Sequence, residues 1–403
     1  MRFASTITHA VKSDQALREL LGPLDERVTP GMVDLALLFV TPHFNEELPR
    51  VLQAVSGAVP NAILLGCTAE GTIGVGCELE RIPSMSLLVG CLPDVTIRPF
   101  HVRQHDVETS ESALDWERMV AVAPENHPAF IALGDPFSIA IHDWVEQMNT
   151  AYPGSPIVGG VASGARQPRQ NRLIVGGEVY REGLVGAALT GEFDLSFVVS
   201  QGCRPIGKPF VITKGDRNVI HELGGVAALE QLHTVLSTLP DEDAQLARQS
   251  LFVGRVIDEY KGHFSRGDFL IHNIIGVDRN RGLLGIAGHA RVGATVQFHV
   301  RDAQSADEDL RAMLAPHAAQ PPDGAILFGC NGRGSNMWPQ PGHDAGVFRE
   351  ILGDVPLTGF FCAGEIGPVG GRNFVHGFTA SIALFRGTEE SEAEGSEESR
   401  TVD

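Results

Sequence analysis

Apolar and polar positions alternate along this chain in a larger pattern that returns three times. Short apolar runs bounded by turn residues, "VDLALLFVT" from Val33, "PAFIALGDP" from Pro128 and "GAILFGCNG" from Gly324, read as buried strands. Each is followed by a stretch of helical character: "NEELPRVLQAVSGAV", "SIAIHDWVEQMNTAY" and "DAGVFREILGD". In the second, Ile139, Trp144, Val145 and Met148 fall on one stripe. The third runs into Gly353, a suitable helix end. A second apolar run then leads into a glycine motif, and a third run closes the unit: "SMSLLVG" from Ser84, "GLVGAALTG" from Gly183 and "GFTASIALF" from Gly377.

The glycine motif is the signature of the repeat. It is carried by Gly66, Ala69 and Gly71, by Gly159, Ala162 and Gly164, and by Gly359, Cys362 and Gly364. The first and third copies continue into an Ile-Gly pair, Ile73-Gly74 and Ile366-Gly367. Internal repetition fixes the architecture before single residues are weighed. The unit is β-α-β-loop-β with a right-handed crossover. The two parallel strands end on one edge, where ligands of open α/β sheets bind. The loops Thr41 to Phe44, Gly134 to Phe137 and Gly329 to Asn336 are expected beside the glycine motifs, so the functional edge is placed there.

Between about Asp194 and Pro322 the repeat gives way to alternating strands and two helices, one of them "SADEDLRAMLAPH" with Ser305 as its expected cap. This is an inserted α+β module, expected to interlock with the repeats around a shared cleft. The predicted fold is α/β: three β-α-β-loop-β units plus the module, in one or two mixed sheets with outer helices, a four-layer αββα sandwich being one version. The predicted domains are 1–193, 194–387 and an acidic, disordered tail 388–403.

Composition narrows the function. The chain has 403 residues, 43% hydrophobic and 20% charged, and a net charge of −19. That acidity makes nucleic acid and anionic membranes poor partners. No run of eighteen apolar residues and no signal-peptide core occurs, so a cytoplasmic protein with no membrane partner is expected. The six cysteines show no C-x-x-C spacing, which leaves a zinc site or thioredoxin-like motif unsupported. No H-E-x-x-H or P-loop pattern is present.

Several segments resemble one family. "LLGCTAEGTIG", "SQGCRPIGKPFVITKGDRNVIHELGG", "VQFHVRDAQSADEDL", "FGCNGRG" and "GFFCAGEIGPVGGRNFVHGFTASIALF" together are similar to FIST proteins over roughly residues 30 to 386. The resemblance implies an intracellular sensory module for a small ligand, amino acids or their derivatives among those proposed. It also implies signal transduction, here through a separate protein partner, since the chain reads as a stand-alone member. One departure is His272, where the family leads one to expect Arg.

Candidate ligand-binding residues follow. Asn331 and Arg333, with Gly332 and Gly334, form a polar loop in which the guanidinium fork matches a carboxylate and glycine amides form an anion nest. The alternative is that Arg333 pairs with a structural acid such as Asp344 or Glu365. Glu70 and Glu365, next to Gly71 and Gly364, suit a ligand ammonium; their alternative is to accept loop amides. Thr68 is a loop hydroxyl, with turn formation its commoner role. Cys67 and Cys330 stand at strand-to-loop junctions and as nucleophiles need a base within reach, which would make a lyase or hydrolase on a small carbonyl compound. No catalytic residue, metal or cofactor is assigned. Haem is the cofactor that the resemblance allows, with His376 as its candidate ligand, giving a gas sensor as a further alternative.

Overall fold

A computed structural model describes residues 1–24, 27–264 and 267–387, and the predicted acidic tail lies outside the described residues. The chain divides into two compact units. One holds residues 1–199, 310–375 and those from 379 on; the other holds Ser200–Asp309 with His376–Phe378.

The first unit contains the three repeats. The first supplies strands β1 (Arg2–Thr8), β2 (Leu35–Val40), β3 (Ile63–Thr68), β4 (Gly71–Gly74), β5 (Cys77–Glu80) and β6 (Met85–Cys91), with helices α1 (Ser13–Leu21) and α2 (Leu48–Ala58). The second supplies β7 (Val95–Val102), β8 (Ala129–Gly134), β9 (Ile157–Val161), β10 (Leu173–Val175), β11 (Glu178–Tyr180) and β12 (Leu184–Gly191), with α3 (Gln104–Thr109), α4 (Ala113–Val120) and α5 (Ile141–Ala151). The third opens with β13 (Phe193–Gln201) and is then interrupted by the second unit. That unit carries β14 (Cys203–Asp216), β15 (Val219–Leu223), β16 (Val226–Ala227), α6 (Ala228–Ser237), α7 (Asp241–Gln249), β17 (Leu251–Val256), β18 (Phe269–Asp278), β19 (Leu283–Ile286) and β20 (Thr295–Arg301). The boundary at Asp309 falls within α8 (Ala303–Leu314), after which the third repeat resumes with β21 (Gly324–Cys330), α9 (His343–Leu352), β22 (Leu357–Cys362), β23 (Glu365–Val369), β24 (Arg372–His376) and β25 (Thr379–Gly387).

Strand order shows how the repeats interlock. The sheets run β1-β6-β2-β3-β10-β11, β7-β12-β8-β9-β23-β24 and β13-β25-β21-β22-β4-β5. The first four strands of each belong to one repeat. The last two are the hairpin that follows the glycine motif of another: the first repeat lends its hairpin to the third, the third to the second, and the second to the first. The expected loop of each unit is therefore a donated hairpin. The α/β class with mixed sheets holds, and the first unit has three sheets rather than the one or two expected.

The continuous apolar runs follow from burial on both faces. Along β2, Leu35, Leu37 and Phe39 enter a central core while Ala36, Leu38 and Val40 meet the layer containing α1 and α2. The same alternation places Ile131 and Leu133, and Ile326 and Phe328, in the central core, with Phe130 and Ala132, and Ala325 and Leu327, facing the outer helices. Phe39, Phe328 and Phe360 meet there with ring centroids 4.7–6.4 Å apart. Such aromatic pairs add about 0.5–1.5 kcal/mol each beyond area burial.

The first glycine of each motif is required by strand packing. Gly66, Gly159 and Gly359 pair in register with Leu38, Ala132 and Leu327 of the neighbouring parallel strand. A Cβ there would lie 2.0, 1.8 and 1.9 Å from those residues' carbonyl oxygens. Gly159→Ala is expected to cost about 1–3 kcal/mol through overpacking, whereas Gly57→Ala in α2, with nothing within 4 Å, is expected to gain about 0.5–1 kcal/mol. Urea denaturation of the two variants checks the contrast; equal effects would mean that the close approach is not what demands glycine.

The second unit is a ring of antiparallel strands, β14-β20-β17-β18-β19-β15, closed by the β14–β15 pairing. Phe210, Ile212, Leu284, Val296 and Phe298 pack with Leu229, Leu232 and Val235 of α6. Helix α8 starts earlier than expected. Its cap is Asp302, whose Oδ1 accepts the Gln304 and Ser305 amides, and Ser305 donates its hydroxyl to the same carboxylate. An aspartate three residues ahead of the expected cap offers a charged acceptor, which suits the orphan amides of a helix start better than a hydroxyl does.

Candidate functional site

The three glycine motifs meet. The Ser163 hydroxyl accepts the Glu70 amide at 2.9 Å and donates to the Phe361 carbonyl. The Gly164 amide donates to the Thr68 carbonyl, Val161 donates to the Gly364 carbonyl, and Ala363 donates back to Val161. Thr68, Cys67, Gly71, Gly364 and Glu365 thus belong to one junction at the carboxyl ends of the parallel strands. Thr68 is occupied structurally: its hydroxyl donates to Asn171 and accepts the Arg172 amide. Asn171 in turn donates to Asp135, a buried carboxylate that also accepts the Ser138 hydroxyl.

Glu70, Ser163 and Ala363 hold the same place in the three motifs, and Glu70 and Ala363 are exposed. The Glu70 carboxylate makes no hydrogen bond or ion pair among the described residues. Arg166, two residues beyond Gly164, is likewise exposed and unpaired. The signal for it was in the sequence: Arg166, Arg169, Arg172 and Arg181 cluster just after the second motif of an acidic chain. Arg169 pairs with Glu182, and Arg172 turns onto the carbonyls of residues 169 to 171, which leaves Arg166 and Arg181 as the exposed cations of the cluster without a partner among the described residues, Arg166 being the one beside the glycine motif.

Beneath lies Glu365, 0% exposed. Its Oε2 accepts the Thr379 amide and hydroxyl at 3.2 and 2.9 Å, while Oε1 has no hydrogen-bond partner of ordinary geometry. Burial pushes its pKa up to about 8, against the lowering effect of Thr379, the neighbouring Cys330 thiol and Arg333. At neutral pH the group is mostly the uncharged acid.

Arg333 is also 0% exposed, and its fork is engaged by Asp344 through Nε at 2.6 Å and Nη2 at 2.9 Å. This is the structural pairing weighed from sequence. The guanidinium also lies 5.0 Å from the Trp338 ring centroid, and Trp338 stacks on His343 at 3.7 Å. His343 Nδ1 approaches Asp344 Oδ1 at 3.0 Å. Burial opposes ionisation of Asp344, but Arg333 and His343 outweigh it and hold the carboxyl below its ordinary range. Asn331 donates its amide to the Cys362 carbonyl, and the Gly332 amide lies 3.4 Å from Cys330 Sγ. Gly334 has φ +53°, and a Cβ on it would strike Glu80.

The thiols are enclosed. Cys67 lies in the central core, where burial pushes its pKa well above the ordinary thiol value. Cys330 is 6% exposed. His376 is buried at the end of β24 and belongs to the second unit. No group of three His, Cys, Asp or Glu side chains able to hold a metal ion occurs among the described residues. A cavity of about 760 Å3 opens at the opposite strand edge, among Met1, Arg2, Met32, Asp34, Leu92 and Val95. There Asp34 already accepts the Leu92 amide. Among the described residues, no helix is long and apolar enough to cross a membrane.

A FIST N domain matches residues 34–226 and a FIST C domain matches 228–368. An uncharacterized protein of Mycobacterium tuberculosis is 40% identical over 389 residues, covering 96% of this chain and 100% of that one. An uncharacterized protein of Mycobacterium bovis is 37% identical, covering 96% and 99%. Human F-box only protein 22 is 30% identical over 147 residues, 35% of this chain and 34% of that protein. A crystal structure of cyanuric acid hydrolase from A. caulinodans covers 95% of this chain and 99% of that one at 8% identity, with a TM-score of 0.38, too distant to carry an inference. FIST domains suggest a small-ligand sensory role.

Proposed function

The chain belongs to the FIST family, and we propose that it binds a small zwitterion of amino-acid type at the junction of its three glycine loops and reports that binding to a separate protein. One observation carries the reading. Glu70 and Arg166 are opposite charges on two loops joined by hydrogen bonds, yet neither is paired. A free carboxylate and a free guanidinium so disposed suit an ammonium and a carboxylate on one small molecule, the latter held by the planar fork.

In this reading Glu365 supports the floor from below as a neutral acid, and Arg333 shapes the neighbouring loop through Asp344. Both were candidates for direct contact, but their burial and partners suit positioning better. Hydrogen bonds between the motifs bring the three loops together beside the exposed Ala363.

The test is thermal shift with the twenty amino acids. One chemical class is expected to give a saturable shift. Glu70→Ala and Arg166→Ala each remove a charge-assisted contact worth about 1.5–3 kcal/mol, a roughly 10- to 100-fold rise in Kd. A wild-type Kd in both variants would show that the ligand sits elsewhere, and no shift across the panel would overturn the ligand class.

A further inference from the structure

The hairpin that the first repeat donates to the third ends in two acids, and both grip the third repeat. Glu80 accepts the Ser335 amide at 2.8 Å and the Ser335 hydroxyl at 2.7 Å. Glu78, 6% exposed, accepts the Ala345 amide in the first turn of α9 at 2.9 Å. Arg81 just beyond donates to Asn336 at 2.8 Å. Glu80 and Arg81 thus hold the loop 331–342, and Glu78 holds the start of the helix that follows it; Arg333, Trp338 and His343 brace the same loop from within and from α9.

Glu78 is an unusual anchor. Its second oxygen, Oε2, is buried without a hydrogen-bond partner. Asp344, Glu80 and Arg333 face it, along with the Ala345 amide. From α9, His343 reaches it through Asp344, and the Arg349 side chain lies against Gly76 at the hairpin turn. Arg333 is already committed to Asp344, so the cluster holds more buried carboxyl groups than cations to match them. A charge on Glu78 is therefore opposed while the hairpin stays docked and relieved when it lifts into water.

We propose that the donated hairpin 71–80 is a pH-dependent latch on the loop 331–342, with Glu78 as the proton-holding group. The docked state keeps Glu78 protonated, and the lifted state lets it ionise. Burial, then Asp344, push its pKa up to about 8, from an ordinary value of 4.5. The sign follows from linkage. Below the ordinary value both states are protonated and the latch is at full strength. As pH rises towards 8 only the lifted state gives up its proton, and the docked state loses ground at up to roughly tenfold per pH unit. Above about 8 both are ionised and the dependence levels off. The latch acts whatever the ligand is, so its failure leaves the proposed binding reading untouched.

Hydrogen exchange of the full chain, read in peptides spanning 76–81 and 333–346 and corrected for intrinsic rates, measures the opening constant directly. Between pH 5.5 and 7.5 that constant is expected to rise by several- to tenfold per unit in the wild type, and to stay flat in Glu78→Gln. The same slope in Glu78→Gln would overturn the proposal. So would a flat wild-type profile, which needs no variant to fold.

Discussion

Arg333→Ala is expected to destabilise the protein by about 3–5 kcal/mol, because it strands Asp344 as a buried carboxylate without its cation. The cost comes from the partner left behind. Arg333 and Asp344 are 0% and 2% exposed and share two hydrogen bonds, and Glu78 lies close enough for its own carboxyl to feel both. Arg333→Lys is expected to recover only part of the loss, since an ammonium cannot reproduce the fork or the stacking near Trp338. Removing both charges at once, Arg333→Met with Asp344→Asn, is expected to cost less than the two single changes added together. Urea denaturation of the four proteins measures this coupling. A loss below about 1 kcal/mol for Arg333→Ala, with ligand binding abolished, would return Arg333 to the role of a ligand contact.

Glu365→Gln is expected to act in the opposite direction, and only as pH rises. The carboxyl has a pKa of about 8 in the folded protein, raised by burial from an ordinary 4.5. A carboxyl whose pKa rises on folding weakens the folded state wherever the unfolded chain has lost its proton and the native chain has not. That window runs from about 4.5 to about 8, and the penalty grows across it by up to about 1.4 kcal/mol per pH unit. The amide keeps an acceptor for Thr379 and has nothing to ionise. Glu365→Gln should match the wild type near pH 4.5 and exceed its stability by about 2–5 kcal/mol near pH 8. Other titrating groups, Glu78 included, are common to both proteins and cancel in the difference. Denaturation midpoints that stay parallel from pH 5 to pH 8 would show that Glu365 is not held as a buried neutral acid.

The sequence made the repeats legible because their strands are long apolar runs buried on both faces, and because the first glycine of each motif answers a steric demand of the neighbouring strand. The destination of each hairpin was hidden. Strands such as Leu173–Val175 and Glu178–Tyr180 are too short to carry a period of their own, and the pairing of Gly74 with Thr358 joins residues far apart in the chain. Asp344 reads from the sequence as one possible partner for Arg333, but a residue type cannot reveal that the pair is sealed from solvent. Arg166 carries no motif signal of its own, because it stands just outside the second glycine motif. Ser305 opens the helical pattern and so reads as its cap; Asp302 outcompetes it by charge.

The cyclic loan of hairpins also sets a timetable for synthesis. Each sheet borrows from a different part of the chain, so no repeat can complete its own sheet while it emerges from the ribosome. The hairpin of the first repeat is made early, but its acceptor strand, Leu357–Cys362, is made some 280 residues later. At roughly 5–20 residues per second, that hairpin stays without its sheet for on the order of 15–60 s, a delay lengthened by the second unit interposed at Ser200–Asp309. Nascent chains therefore carry an unpaired β-edge through most of translation, and the cell has to shield it until the last repeat arrives.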